Sequence, residues 1–205
     1  MSNDKDTQLE VLSSHYSETF ALLKTAVEKR DRLFLYTLLV IFALLLYMTA
    51  PTVMSDWLNS FVSSQAGSNS NGTNVTLIDT SFIGAILLLG LLSLSHTYFQ
   101  TVLHVERQYD YVYQLEGLLS INYDNKAFIR EGVHYQTNKR KFAGWTKSIF
   151  WYLFPFLFLI FNIGWLWFLF TISKASISYM VVDCLISLSI FISLGLYFWA
   201  LIKKK

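Results

Sequence analysis

Between Arg32 and Arg107 the chain carries no lysine or arginine. That gap holds two long apolar runs, roughly residues 33–54 and 81–103, and two more lie at 148–172 and 178–202. Each run reaches the ~20 residues that carry a helix across ~30 Å of hydrocarbon. A charged side chain at mid-membrane costs at least about 3 kcal/mol, which accounts for how clean the runs are. Charged residues make up 15% of the chain, against about 25% in a soluble domain. That is too few to coat the surface of a water-soluble fold. The pattern predicts an all-α integral membrane protein with four transmembrane helices.

The sixteen basic residues locate the loops. Five lie in 1–32, seven in 107–147 and three at 203–205, which leaves only Lys174. By the positive-inside rule, both termini and the 104–147 connection face the cytoplasm. The expected order is a cytoplasmic helical extension (1–32), two spans (33–103) with an outward loop (55–79), a cytoplasmic helical connection (104–147), two further spans (148–202) and a basic tail (203–205). The 173–177 turn faces outward. A net charge of +2 predicts no general affinity for nucleic acid.

The polar first thirty residues argue against a cleavable signal peptide. The single cysteine, Cys184, lies within an apolar run, so no disulfide forms within one copy. Asn71-Gly72-Thr73 and Asn74-Val75-Thr76 read either as glycosylation acceptors or as part of a flexible Ser/Asn/Gly loop.

Two of the helices outrun the membrane. Residues 1–50 contain no Gly or Pro, and Leu9, Tyr16 and Leu23 recur seven apart. One helix from about Thr7 to Ala50, ended by Pro51, spans ~65 Å, about twice the hydrocarbon thickness. The second apolar helix runs on from Thr80 to about Gly117. Its Val105, Val112, Leu115 and Leu119 supply a seam for the first, so the two projections form a cytoplasmic helical stalk; the alternative is two ordinary spans with frayed ends. Residues 127–134 suit a short helix in the connection. Lys139, Arg140 and Lys141 precede Phe142, Trp145, Phe150 and Trp151, a pattern that anchors to lipid headgroups or, alternatively, binds a nucleotide or oligonucleotide. Eleven of the twenty-one residues from Phe150 to Phe170 are aromatic. They either face lipid or form a hydrophobic constriction, and Pro155 starts or kinks that helix.

The sequence carries no HExxH, GxSxG, CxxC, P-loop or GxGxxG pattern, so neither an enzyme nor a cofactor or metal site is expected. Ion-pathway candidates are few. Asp183 is an intramembrane carboxylate, which lines a cation path, carries a proton, pairs with Lys174 or reaches the outer interface. Asn162 sits mid-span, where it contacts an ion or joins helices. His96, Gln100 and His104 follow an i+4 series toward Gln108, either a water-lined path or a row of cross-helix hydrogen bonds. Ser187, Ser189 and Ser193 suit close helix packing.

Several stretches share a likeness. They are His15-Tyr16-x-Glu18-x-Phe20, Lys29-Arg30-Asp31-Arg32-Leu33-Phe34, Glu106-Arg107-Gln108-Tyr109-x-Tyr111 with Leu115-Glu116, Arg130-Glu131-Gly132-x-x-Tyr135, Trp145, and Leu153-Phe154-Pro155. Across roughly residues 15–155 the chain resembles small bacterial four-span inner-membrane proteins linked to anti-phage defence loci, such as the membrane subunits of Hailong (a ligand-gated channel) or Kiwa (a membrane sensor with a DNA-binding partner). The resemblance implies a homo-oligomer, a tetramer or larger, in the bacterial inner membrane. It forms or gates an ion pathway under a cytoplasmic ligand or partner, or it recruits a soluble partner as a sensor or anchor. Arg107, Arg130, Glu131, Tyr135, Lys139, Arg140 and Lys141 are the candidate partner- or ligand-binding residues. The expected partners are membrane lipid, a soluble cytoplasmic protein encoded nearby, and a nucleotide or oligonucleotide ligand.

Overall fold

A computed structural model describes residues 2–65, 80–122, 144–145, 148–173 and 176–203. Among them there is no strand. Among the described residues five α-helices follow one another: α1 (Ser2–Thr49), α2 (Pro51–Gln65), α3 (Thr80–Asn122), α4 (Phe154–Thr171) and α5 (Ile177–Lys203). A single π-turn, Ile149–Leu153, leads into α4. Four helices are long and apolar enough to cross a membrane, covering Thr7–Thr49, Ser81–Ile121, Ile149–Thr171 and Ile177–Lys203. The chain is therefore an all-α, multi-pass membrane protein.

One expectation gives way to a finding. Pro51 does not simply end the first helix; it opens α2 over the first part of the segment whose composition reads as a loop. Proline has no N–H to give to the preceding turn, so it breaks the ladder there, yet its fixed φ suits a first helical position. The ladder resumes at once, with Met54 N donating to Ala50 O at 3.2 Å. Pro155 is the second residue of α4, directly after the π-turn.

The chain divides into two compact units, one from residues 1–33 and 98–154, the other from 34–97 and 155–205. In the first, Leu23 of α1 packs with Val105 and Val112 of α3, flanked by Tyr16, Ala26 and Val27. Leu115 and Leu119 are buried as well. The seam expected from the spacing is thus present, and polar bonds fix its register. Tyr16 Oη donates to Glu116 Oε1 at 3.0 Å, and His15 Nε2 lies 2.8 Å from Tyr111 Oη.

That unit also holds the π-turn. Tyr98 Oη donates to the Phe150 carbonyl at 3.0 Å, satisfying a group that the wide turn displaces. The Tyr98 ring meets Phe154 edge-on at 5.0 Å. The Arg30 guanidinium sits 4.3 Å from the centre of the Phe150 ring and bonds Asp31 Oδ1 at 2.8 Å. An aromatic face and a carboxylate together hold this cation where the first apolar run begins.

The second unit is built around aromatics. Tyr47 stacks on Trp165 at 5.9 Å, and Phe168 meets Tyr47 at 6.1 Å and Trp165 at 5.7 Å. Gly84 makes room for them, since a Cβ there would come within 3.1 Å of Trp165 Cη2 and of Tyr47 Cε1 and Cζ. The aromatic helix α4 divides accordingly. Phe154, Phe158, Trp165 and Phe168 are buried, whereas Phe156, Trp167 and Phe170 are exposed, as a lipid-facing surface requires.

Candidate functional site: a buried polar cluster between α4 and α5

Asp183 and Ser187 are one turn apart on α5, and Asn162 and Trp165 are three apart on α4. Each pair therefore shares a helix face. All four are enclosed, at 3%, 1%, 0% and 1% exposure respectively. Asn162 Nδ2 donates to the Ser187 backbone carbonyl at 3.0 Å, which ties α4 to α5. The distal edge of the Trp165 indole is wedged against Gly84 and Tyr47. Its N–H edge interacts with the Asp183 carboxylate without reaching full hydrogen-bonding geometry.

The notable property of the cluster is what it leaves unsatisfied. Asn162 Oδ1, Ser187 Oγ, Asp183 Oδ1 and Trp165 Nε1 are all buried with no hydrogen-bond partner among the described residues. An unpaired buried polar atom costs about 1–3 kcal/mol, and a transmembrane segment has no bulk water to relieve it. Four such atoms on two facing helices make a polar locus, with three oxygens and one N–H, set in an aromatic and aliphatic shell. Oxygen donors beside one carboxylate suit a small cation, a proton or ordered water. Among the described residues no group of three His, Cys, Asp or Glu side chains comes together.

The structure thus groups two of the ion-pathway candidates, Asp183 and Asn162, with Ser187, which the sequence marks for helix packing, and adds Trp165. Asp183 lies six residues into α5, ~9 Å along its axis, and is buried rather than reaching toward the helix end. His96, Gln100 and His104 occupy exposed positions on α3 and are not among the buried residues around Asp183. In a path they would need a second copy of the chain to enclose them. Arg107 is exposed on the same helix. Arg130, Glu131, Tyr135, Lys139, Arg140, Lys141 and Lys174, the 127–134 helix and the two Asn-x-Thr sequences lie outside the described residues.

Two features of the structure were not singled out in the sequence. Trp165 belongs to a helix that is apolar on every side, so periodicity alone cannot show that it faces inward. The Arg30–Phe150 contact joins residues 120 positions apart. In the basic motif around Arg30, nothing marks which of Lys29, Arg30 and Arg32 takes an aromatic partner. No family model, no curated protein and no solved structure matches the chain.

Proposed function

We propose that this chain is a subunit of a homo-oligomeric membrane protein that passes small cations by way of the Asp183–Asn162 cluster, under control of a cytoplasmic ligand or partner. The observation that carries the reading is the set of four unsatisfied polar atoms between two membrane-spanning helices. Polar groups buried at membrane depth are expensive, and in membrane proteins they mark ion and proton routes. The exposed His96 and Gln100 on α3 support an assembly of several copies, because polar side chains on a span are better placed against protein than against lipid. The cytoplasmic placement of both termini rests on the distribution of lysine and arginine, and placement in the bacterial inner membrane rests on the family resemblance. A role in anti-phage defence rests on the family resemblance. Planar-bilayer recording from the purified chain, alone and with its genomic neighbours and nucleotides, tests the proposal. Cation-selective conductance in one of these conditions is expected, and silence in all of them overturns it.

A second reading, a membrane anchor for a soluble partner, draws on the first unit, where Tyr109, Tyr111 and Tyr113 are exposed on α3. Aromatic side chains on an aqueous surface suit protein contacts. Co-purification separates the two. An anchor loses its partner when Tyr109 and Tyr113 become serine and keeps all activity in Asp183→Asn; an ion pathway shows the reverse.

A further inference from the structure

Helix α2 follows directly from the first membrane-crossing helix, at the Pro51 break. Its surface divides into three faces. Met54 and Leu58 are half-buried against the rest of its unit. Val53, Trp57 and Phe61 recur every four residues, each more than half exposed, and the Trp57 and Phe61 rings stack at 6.0 Å. Thr52, Asp56 and Ser60 recur at the same interval one position earlier and are exposed as well. With ~100° between successive residues, the apolar and polar stripes run side by side along the free half of the helix. One stripe suits hydrocarbon and the other suits water, and no lysine or arginine occurs anywhere in α2.

We infer that α2 lies in the lipid–water interface at the end of the first span, with Val53, Trp57 and Phe61 sunk among the acyl-chain ends and Thr52, Asp56 and Ser60 turned to water. Three observations select the membrane surface over a second copy of the chain. The apolar stripe follows in sequence on an exposed apolar face of α1, that of Leu38, Leu39, Phe42, Leu45 and Leu46, as a lipid-facing span requires. A tryptophan with a neighbouring phenylalanine at the end of a span is the composition that settles at headgroup level. The stripe is one residue wide and bordered by an aspartate, which is too narrow to bury against protein. The proline break makes the geometry possible, because it lets the helix leave the direction of the span without unravelling. In this position α2 fixes the depth of α1 in the bilayer, and with it the level of the aromatic cluster that Tyr47 joins.

The test uses the full chain in liposomes. Cys184 is the sole cysteine, so Cys184→Ala provides a cysteine-free background for single cysteines at 52, 53, 56, 57, 60 and 61, each carrying a nitroxide. Collision with oxygen, which concentrates in lipid, is compared with collision with a water-soluble nickel chelate. Positions 53, 57 and 61 should favour oxygen, at a depth of ~5–10 Å below the phosphates, and positions 52, 56 and 60 should favour the chelate. Equal chelate access at 56 and 57 would overturn the inference, as would protection of 57 from both reagents, which marks a protein contact. An independent arm avoids cysteine substitution. The emission lost in Trp57→Phe, one of six tryptophans, should be quenched in the native protein by lipids brominated near the carbonyl and little affected by aqueous acrylamide. Quenching by acrylamide instead contradicts it.

Discussion

Asn162 Nδ2 donates to the backbone carbonyl of Ser187 at 3.0 Å, so the mid-span asparagine of α4 grips the chain of α5 rather than a side chain. The Ser187 carbonyl is held whatever residue occupies that position, while the Asn162 carbonyl oxygen and the Ser187 hydroxyl stay unspent. One residue therefore joins two helices and contributes an oxygen to the polar locus. These roles separate by mutation. Asn162→Ala deletes the bond and leaves a small cavity, and the expected loss is about 1–2 kcal/mol of stability in mixed micelles. Ser187→Ala keeps the backbone acceptor and removes a buried hydroxyl that has no partner among the described residues, so unfolding by SDS titration should show no loss of stability and a gain of up to about 1 kcal/mol.

Trp165 separates packing from polarity in the same way. Phenylalanine keeps an aromatic surface against Tyr47 and Phe168 and deletes only the N–H that faces Asp183. Trp165→Phe should cost no more than about 1.5 kcal/mol yet alter ion flux. Trp165→Ala removes the ring itself and should cost about 3–5 kcal/mol. Thermal unfolding in detergent with parallel flux measurements checks both, and equal effects of the two variants on stability would contradict the packing described.

Gly84 predicts a contrast between two glycines on one helix. A methyl group at 84 comes within 3.1 Å of two aromatic rings that are held by each other, whereas a methyl at Gly90 meets nothing within 4 Å. Gly84→Ala should destabilise by about 1–3 kcal/mol through overpacking. Gly90→Ala should be neutral or stabilising by up to about 1 kcal/mol from helix propensity. Melting temperatures of the two variants, measured side by side, decide the point.

The pair Tyr16–Glu116 joins α1 and α3 in the other unit, and Glu116 is buried. A hydroxyl donating to a carboxylate is worth more than a neutral pair, about 1.5–3 kcal/mol. A double-mutant cycle of Tyr16→Phe and Glu116→Gln, read by hydrogen exchange of the 98–122 segment, should give a coupling of at least about 0.5 kcal/mol. Strict additivity would show that the bond does not hold the register.

Much of this architecture was legible in the sequence because lipid imposes a strict rule. Four apolar runs bounded by lysine and arginine leave few alternatives to four spanning helices, and the sevenfold recurrence of Leu9, Tyr16 and Leu23 foretells the seam at Leu23. The site was legible only in part. Asp183 and Asn162 stand out because polar residues are rare in such runs, but their partner Trp165 is one of eleven aromatics between 150 and 170 and carries no mark of its own. Helix α2 was hidden for a different reason. Pro51 is a terminator in one register and a helix start in the next, and local sequence does not distinguish the two uses.

The most direct test of the central claim is cation flux into liposomes holding the purified chain, wild type against Asp183→Asn. The asparagine retains the shape of the side chain and deletes its negative charge. Leu188→Ala, on the exposed side of α5, controls for general damage. The account predicts that flux falls at least tenfold in Asp183→Asn, with folding intact and Leu188→Ala unchanged. Equal flux in wild type and Asp183→Asn, from protein shown to be folded, would contradict it.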